Sequence, residues 1–239
     1  MGKVERSAPS PLDERARGVV ERLHRRSTRQ ILPSLLPVLR ETVKARLRHG
    51  TWDSTQTDSG KEMLADKMVA LAPEKAALCH LLCRSSGAAT VVEIGTSYGV
   101  STIYLAAAVR ETGGVVIGTE HEPGKVEDAE RNLRDAGLGK HAEILAGDLR
   151  ETLPERLALL AAQGGAVDFV LMDIWIPMAL PALEIVEPYL RPGALVVCDN
   201  VVTGAREYAD YLERVRRSGG GFVSVTVPGQ GGTEVSMKV

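Results

Sequence analysis

From residue 61 onward, short β-branched runs alternate with longer stretches of helical periodicity. The apolar runs are Thr90–Ile94, Val115–Glu120, Glu143–Ala146, Asp168–Met172 and Leu195–Cys198. Between them the spacing predicts helices near Ser101–Arg110, Pro123–Ala136, Leu153–Gln163 and Pro181–Tyr189. A further helix is expected over Met63–Ser85, with Pro73 as a break or a new start. Strands alternating with helices imply βαβ units and a parallel sheet covered on both faces. Right-handed crossovers then give a doubly wound arrangement. The end of the chain breaks this rhythm. After a helix near Arg206–Arg217 come two β-rich runs, Phe222–Val227 and Glu234–Lys238, joined by Pro228-Gly229-Gln230-Gly231-Gly232. That pattern predicts an antiparallel hairpin.

The first 60 residues read as a separate helical arm, with residues 61–239 as the main domain. Leu12–Gln30 is charged, with Val19, Val20 and Leu23 as its apolar positions. Leu35, Leu39, Val43 and Leu47 form an amphipathic stripe, and Pro33 and Pro37 separate the two pieces. Charge sharpens this division. Residues 1–50 hold twelve Lys and Arg against five Asp and Glu, while the other 189 residues hold seventeen against twenty-six. The basic arm is either a surface for an acidic partner or a solvated helix face that packs on the body.

Overall charge is −2, which leaves no nucleic-acid footprint, and aromatics at 4 % do not furnish a base-stacking platform. No apolar run is long enough to cross a bilayer, and the first residues lack the apolar core of a secretory signal. Cys79, Cys83 and Cys198 are an odd set without a C-x-x-C pair, which fits a reducing, cytoplasmic setting and small buried hydrophobes.

The candidate chemistry lies at the carboxyl ends of the strands, where open α/β sheets bind ligands. Val92-Glu93-Ile94-Gly95-Thr96-Ser97-Tyr98-Gly99-Val100-Ser101 is a strand, a tight turn and a helix start. Gly95 allows close approach to the backbone, and the free N–H groups favour an anionic group. The loop is G-x-x-x-G, not the dinucleotide G-x-G-x-x-G, and Glu93 stands before it. A pyrophosphate would be repelled there, whereas a ligand bearing an ammonium and a sulfonium would be tolerated. Glu120, 25 residues after Gly95, is placed to accept from ribose hydroxyls, or else serves the next helix. Asp148, after Gly147, either reaches an adenine amino group or caps the following helix. Asp173 closes the fourth strand, and Asp199-Asn200 closes the fifth. Two carboxylates and an amide oxygen suit a hard divalent cation such as Mg²⁺; the alternative is a helix cap and a turn.

Together these segments resemble the class I S-adenosylmethionine-dependent methyltransferases, and more closely the cation-dependent O-methyltransferases of the catechol and caffeoyl-CoA type. The resemblance runs from about Met63 to Val239. Its motifs are Val92–Ser101, Glu120, Asp168–Asp173, Leu190–Val201 and the closing hairpin. It implies a Rossmann-like, mostly parallel, seven-stranded sheet with a C-terminal antiparallel hairpin and N-terminal helices. It also implies that Met68 or Val69, Glu93, Gly95, Thr96, Ser97, Ser101, Glu120, His121, Gly147, Asp148 and Asp173 surround S-adenosylmethionine. Asp173, Asp199 and Asn200 would hold Mg²⁺ or another divalent cation, with Asp173 catalytic. The partner would be a small hydroxylated acceptor, and the protein a cytoplasmic homodimer with no membrane or nucleic-acid partner. One position departs from the pattern. The family carries a lysine base three residues after the first metal aspartate, and here that position is Ile176. The departure keeps open a metal-independent enzyme with a different acceptor, and a non-catalytic S-adenosylmethionine-binding protein. Trp175, beside it, either walls an aromatic acceptor or belongs to the core.

Overall fold

The computed structural model describes residues 10–31, 40, 43, 44, 47 and 70–239. Met68, Val69 and half of the amphipathic stripe, Leu35 and Leu39, lie outside the described residues, as does the expected division at residue 60.

Seven strands form one sheet: β1 (Thr90–Ile94), β2 (Val115–Glu120), β3 (Ala142–Ala146), β4 (Val167–Met172), β5 (Leu190–Asp199), β6 (Phe222–Val227) and β7 (Thr233–Lys238). Their spatial order is β3-β2-β1-β4-β5-β7-β6. The first five strands run parallel, and β7 pairs antiparallel with both β5 and β6. The chain winds outward from β1 to β3, then returns to the other side of β1 as β4. That reversal opens a crevice at the carboxyl ends of β1 and β4.

Among the described residues, helices include α1 (Glu14–Ile31), α2 (Pro73–Ser85), α3 (Val100–Arg110), α4 (Pro123–Asp135), α5 (Leu149–Ala162), α6 (Ala179–Val186) and α7 (Ala209–Arg216). Successive strand residues point to opposite faces, so two cores form. Val91, Val116, Phe169, Leu171 and Val197 meet α1, α2, α3 and α4. Val92, Ile94, Ile117, Val170, Met172 and Val196 meet α5, α6 and α7. Cys79 and Cys83 are buried in the first core, where burial pushes the Cys79 thiol up to about 12. None of the described helices is long and apolar enough to cross a membrane.

Several boundaries move for local reasons. The helix expected to start at Leu153 begins at Leu149, because the Asp148 side chain accepts the Arg150 N–H and caps it. The helix expected over Pro181–Tyr189 spans Ala179–Val186 and tightens into a 3₁₀ turn, Glu187–Tyr189, around Pro188. The fifth strand is longer than its apolar run. Pro192 and Gly193 lie within it, and the β4–β5 register shifts between Val167 and Phe169.

The basic arm packs on the body along α1. Leu12, Ala16, Val19, Val20 and Leu23 are buried there, a single stripe at helical spacing. Three of its arginines reach α4. Arg15 donates to the Arg134 and Asp135 carbonyls that end α4. Arg22 reaches Asp135 and Asn132, and Arg26 pairs with Asp128 and lies over the Tyr98 ring.

At the opposite, amino end of the strands, Asp168 accepts from the Ala89 and Thr90 N–H groups at 2.9 and 2.8 Å and pairs with Arg191. Those contacts fasten β1, β4 and β5 together at their starts and hold the Asp168 carboxyl low despite its burial.

Candidate active site

The turn after β1 demands its glycine. Gly95 has φ +95°, and a Cβ there would stand 2.2 Å from the Asp173 carbonyl oxygen. Gly99, at φ +83°, is the residue before α3. Ser97 also takes a positive φ, +50°. Its N–H donates to Glu120 Oε2 at 2.8 Å, while Glu120 Oε1 accepts from Glu122 N–H at 2.9 Å. Glu120 therefore braces the β1 loop and the start of α4 together. The helix-serving role is present, and so is the placement beside the loop.

Glu93 is fully buried. Its Oε2 accepts from the hydroxyls of Thr96 and Thr102, while Oε1 has no hydrogen-bond partner among the described residues. Burial pushes the Glu93 carboxyl up, opposed by the nearby Ser101, Thr102 and Thr96 hydroxyls. An unpartnered carboxylate oxygen behind a glycine turn suits a ligand that brings its own donors or positive charge.

Gly95, Thr96, Ser97, Tyr98, Val100, Ser101 and Asp173 line one small cavity together with Ala70 and Leu71. Five of the residues expected from the sequence thus converge: Gly95, Thr96, Ser97, Ser101 and Asp173. Ala70 and Leu71 were not among the expected residues, and they follow directly on Met68 and Val69. The second group lies along the rim at β2 and β3. Gly147, at φ +118°, donates to the Glu120 carbonyl at 2.9 Å. Asp148 is the cap of α5, and the Arg150 side chain and N–H hold its carboxyl down at about 2. His121 is exposed and close enough to Asp148 to lower it slightly.

The other half of the rim is acidic. Asp173 is anchored by its N–H, which donates to the Ile94 carbonyl at 3.0 Å. Its carboxyl is pushed up to about 7, first by burial, then by the charges of Asp199 and Glu93, with Lys75 opposing. Asp199 is buried, and its Oδ1 accepts from Thr233 Oγ1 at 3.1 Å. The same oxygen is ion-paired with Lys75 Nζ. Asn200 follows in a left-handed conformation, φ +62°. A Cβ on Gly231 would fall 2.3 Å from Asn200 Oδ1, so glycine there leaves the amide its room.

Lys75 is the residue sequence reasoning missed. It lies in the first turn of α2, and its partner is 124 residues away. One signal was present. A helix that leads into β1 begins on the side where β1 ends, so its first turn faces the rim. Trp175 is 46 % exposed, which removes the core reading. Ile176 is half-buried and packs on the core beneath α6, where a Cβ on Gly204 would press its Cδ1 at 2.8 Å.

A divalent cation is compatible with this donor set. Among the described residues no three His, Cys, Asp or Glu gather into a metal cluster. Two carboxylates and an amide oxygen nevertheless share the rim, and a cationic ammonium already sits on one of them.

Residues 92–201 match the family model described as a methyltransferase domain. The catechol O-methyltransferase of Mycobacterium tuberculosis is 32 % identical over 57 % of this chain and 59 % of that protein. The catechol O-methyltransferase of Niastella koreensis is 28 % identical over 56 % of this chain and 59 % of its own length. The chain thus spans about three fifths of these curated relatives. Two solved structures share the fold. Cofactor-bound Rv0187 from MTB superposes with TM-score 0.64 at 23 % identity, covering 86 % of this chain and 89 % of that one. The O-methyltransferase TomG from Streptomyces achromogenes, in complex with S-adenosylmethionine, gives 0.61 at 24 % identity, covering 90 % and 98 %. Residues 92–201 are thus similar to a methyltransferase domain, and the sheet shares its fold with these two solved structures.

Proposed function

We propose that this chain is an S-adenosylmethionine-dependent O-methyltransferase acting on a hydroxyl of a small, catechol-like or phenolic acceptor. The observation that carries the reading is the meeting of the glycine turn with Asp173 in one cavity, beside the Asp199–Asn200 strand end. The catechol O-methyltransferase names of its relatives support the acceptor class.

In this reading Gly95, Thr96, Ser97 and Ser101 hold the methionine part of the cofactor. Glu93 places negative charge beneath its ammonium, and Glu120 accepts from the ribose. His121, Gly147 and Asp148 border the adenine. The donor methyl group leaves its sulfonium sulfur as a C–O bond forms with the acceptor, in line, and the sulfur becomes a neutral thioether. Holding the oxygen close and aligned supplies much of the rate, about 7–11 kcal/mol where orientation is good. The hydroxyl proton has no lysine to go to at position 176. The Asp173 carboxylate on the same rim is the group on hand to take it.

Asp173, Asp199 and Asn200 would hold Mg²⁺ or another divalent cation, which when bound lowers the pKa of a coordinated hydroxyl. A homodimer and a cytoplasmic setting belong to the same proposal and are supported by the resemblance alone.

The test is calorimetric titration with S-adenosylmethionine, followed by methyl transfer to catechol with and without Mg²⁺. The expected result is cofactor binding by the wild type and metal-stimulated turnover. Asp173→Asn should lower turnover at least 100-fold while changing cofactor affinity less than about threefold. Absence of cofactor binding would overturn the reading. A second reading, methyl transfer without metal, has one observation in its favour: Lys75 already places positive charge on Asp199.

A further inference from the structure

Lys75 and Asp199 form an internal ion pair at the place the acidic rim offers to a cation. Their side chains are 15 % and 6 % exposed, so water screens the pair poorly. Asp199 Oδ1 accepts from both Lys75 Nζ and Thr233 Oγ1, so the lone pairs of that oxygen are committed. The ammonium also bears on Asp173, where its charge favours the carboxylate against burial and the neighbouring acids. It comes from α2, an element separate from both acid-bearing strands, and nothing in the proposed reaction uses it.

We propose that Lys75 is a built-in counter-cation that competes with a divalent ion for the Asp173–Asp199 pair and sets how weakly this chain holds metal. The inference rests on the reading of Asp173, Asp199 and Asn200 as the metal site. A divalent ion that engages Asp199 must either displace the ammonium from Oδ1 or bind beside it against like-charge repulsion. Both routes lower affinity without removing a ligand. Displacement has a path, because the lysine stem is long and flexible and comes from α2, an element separate from the strand that carries Asp199. The ammonium thus keeps the acids compensated when metal is absent and yields the position when metal is abundant.

The experiment is titration of the metal-stripped full chain with Mn²⁺, read by calorimetry and by the loss of the free Mn²⁺ paramagnetic resonance signal. Wild type is compared with Lys75→Met and Lys75→Arg. Removing the charge at near-constant length should tighten Mn²⁺ binding at least tenfold, and the arginine variant should stay within threefold of wild type. An unchanged or weaker Mn²⁺ affinity in Lys75→Met overturns the proposal. Lys75→Gln carries the same comparison if the methionine variant does not fold. Asp199→Asn should abolish the tightening; a gain that persists in Lys75→Met/Asp199→Asn places the ion elsewhere and also overturns it. S-adenosylmethionine titration of the same proteins separates the two readings. Failure of cofactor binding would sink the methyltransferase assignment and leave the Mn²⁺ comparison standing, whereas intact cofactor binding with equal Mn²⁺ affinity in wild type and Lys75→Met would sink Lys75's role alone.

Discussion

The two halves of the rim handle acidic side chains in opposite ways. At β1 and β2, Glu93 and Glu120 are met by neutral donors: threonine hydroxyls and backbone N–H groups. At β4 and β5, Asp199 is met by a full charge, Lys75, and Asp173 is left facing other acids. Neutral donors orient a carboxylate and leave its field intact for a ligand. A cationic partner cancels that field until something displaces it. The first half is thus organised in advance for one ligand, while the second is held in balance.

Gly95→Ala should strike the first half hardest. The added Cβ would meet the Asp173 carbonyl at 2.2 Å in a backbone conformation that L side chains avoid. A stability loss of about 3 kcal/mol or more is expected in urea unfolding, with cofactor binding lost. Asp199→Ala comes next. It leaves the Lys75 ammonium and the Thr233 hydroxyl without their acceptor and should cost about 2–4 kcal/mol. Combined with Lys75→Met in a double-mutant cycle, it should show a coupling of at least about 1 kcal/mol; additivity would mean the balance described for that half is absent. Glu120→Ala should weaken S-adenosylmethionine binding about tenfold and cost about 1 kcal/mol of stability through the released Ser97 and Glu122 N–H groups. An unchanged dissociation constant would remove its ribose role.

The smallest effect lies off the rim and acts as its control. Burial holds the His80 imidazole below its usual range, while its Nδ1 meets the Tyr104 carbonyl at 2.9 Å. The native state therefore binds fewer protons than the unfolded chain below pH 6.5. Stability from this group is fully present above that pH and falls as pH drops below it through the lowered folded-state value. His80→Gln should flatten that slope in thermal melts and leave cofactor affinity at pH 7 unchanged.

The first half was legible because its parts are contiguous. Glu93 through Ser101 carry strand, turn and helix start in one stretch, and Gly95, Thr96, Ser97 and Ser101 of it line one cavity. Asp173 and Asp199 could be read from strand ends, since parallel neighbours bring their carboxyl termini together. Lys75 could not, because its role comes from where α2 begins in space, not from any residue near it in sequence. Asp148 shows a different limit. An acid before a helix has one local pattern whether it caps or binds, and here the Arg150 contacts reveal the cap. Trp175 was ambiguous for the opposite reason: large apolar residues read as core until a fold shows them facing solvent.

Asp168 gives the opposite end of the sheet a consequence of its own. By gathering the starts of β1, β4 and β5, it assigns mechanical integrity and chemistry to different ends of the same strands. A side chain at the chemical end, such as Ile176, can be exchanged without touching these fastenings. Change at the rim is thereby uncoupled from the alignment of the strands, and Asp168 and Arg191 are the residues whose loss would couple them again.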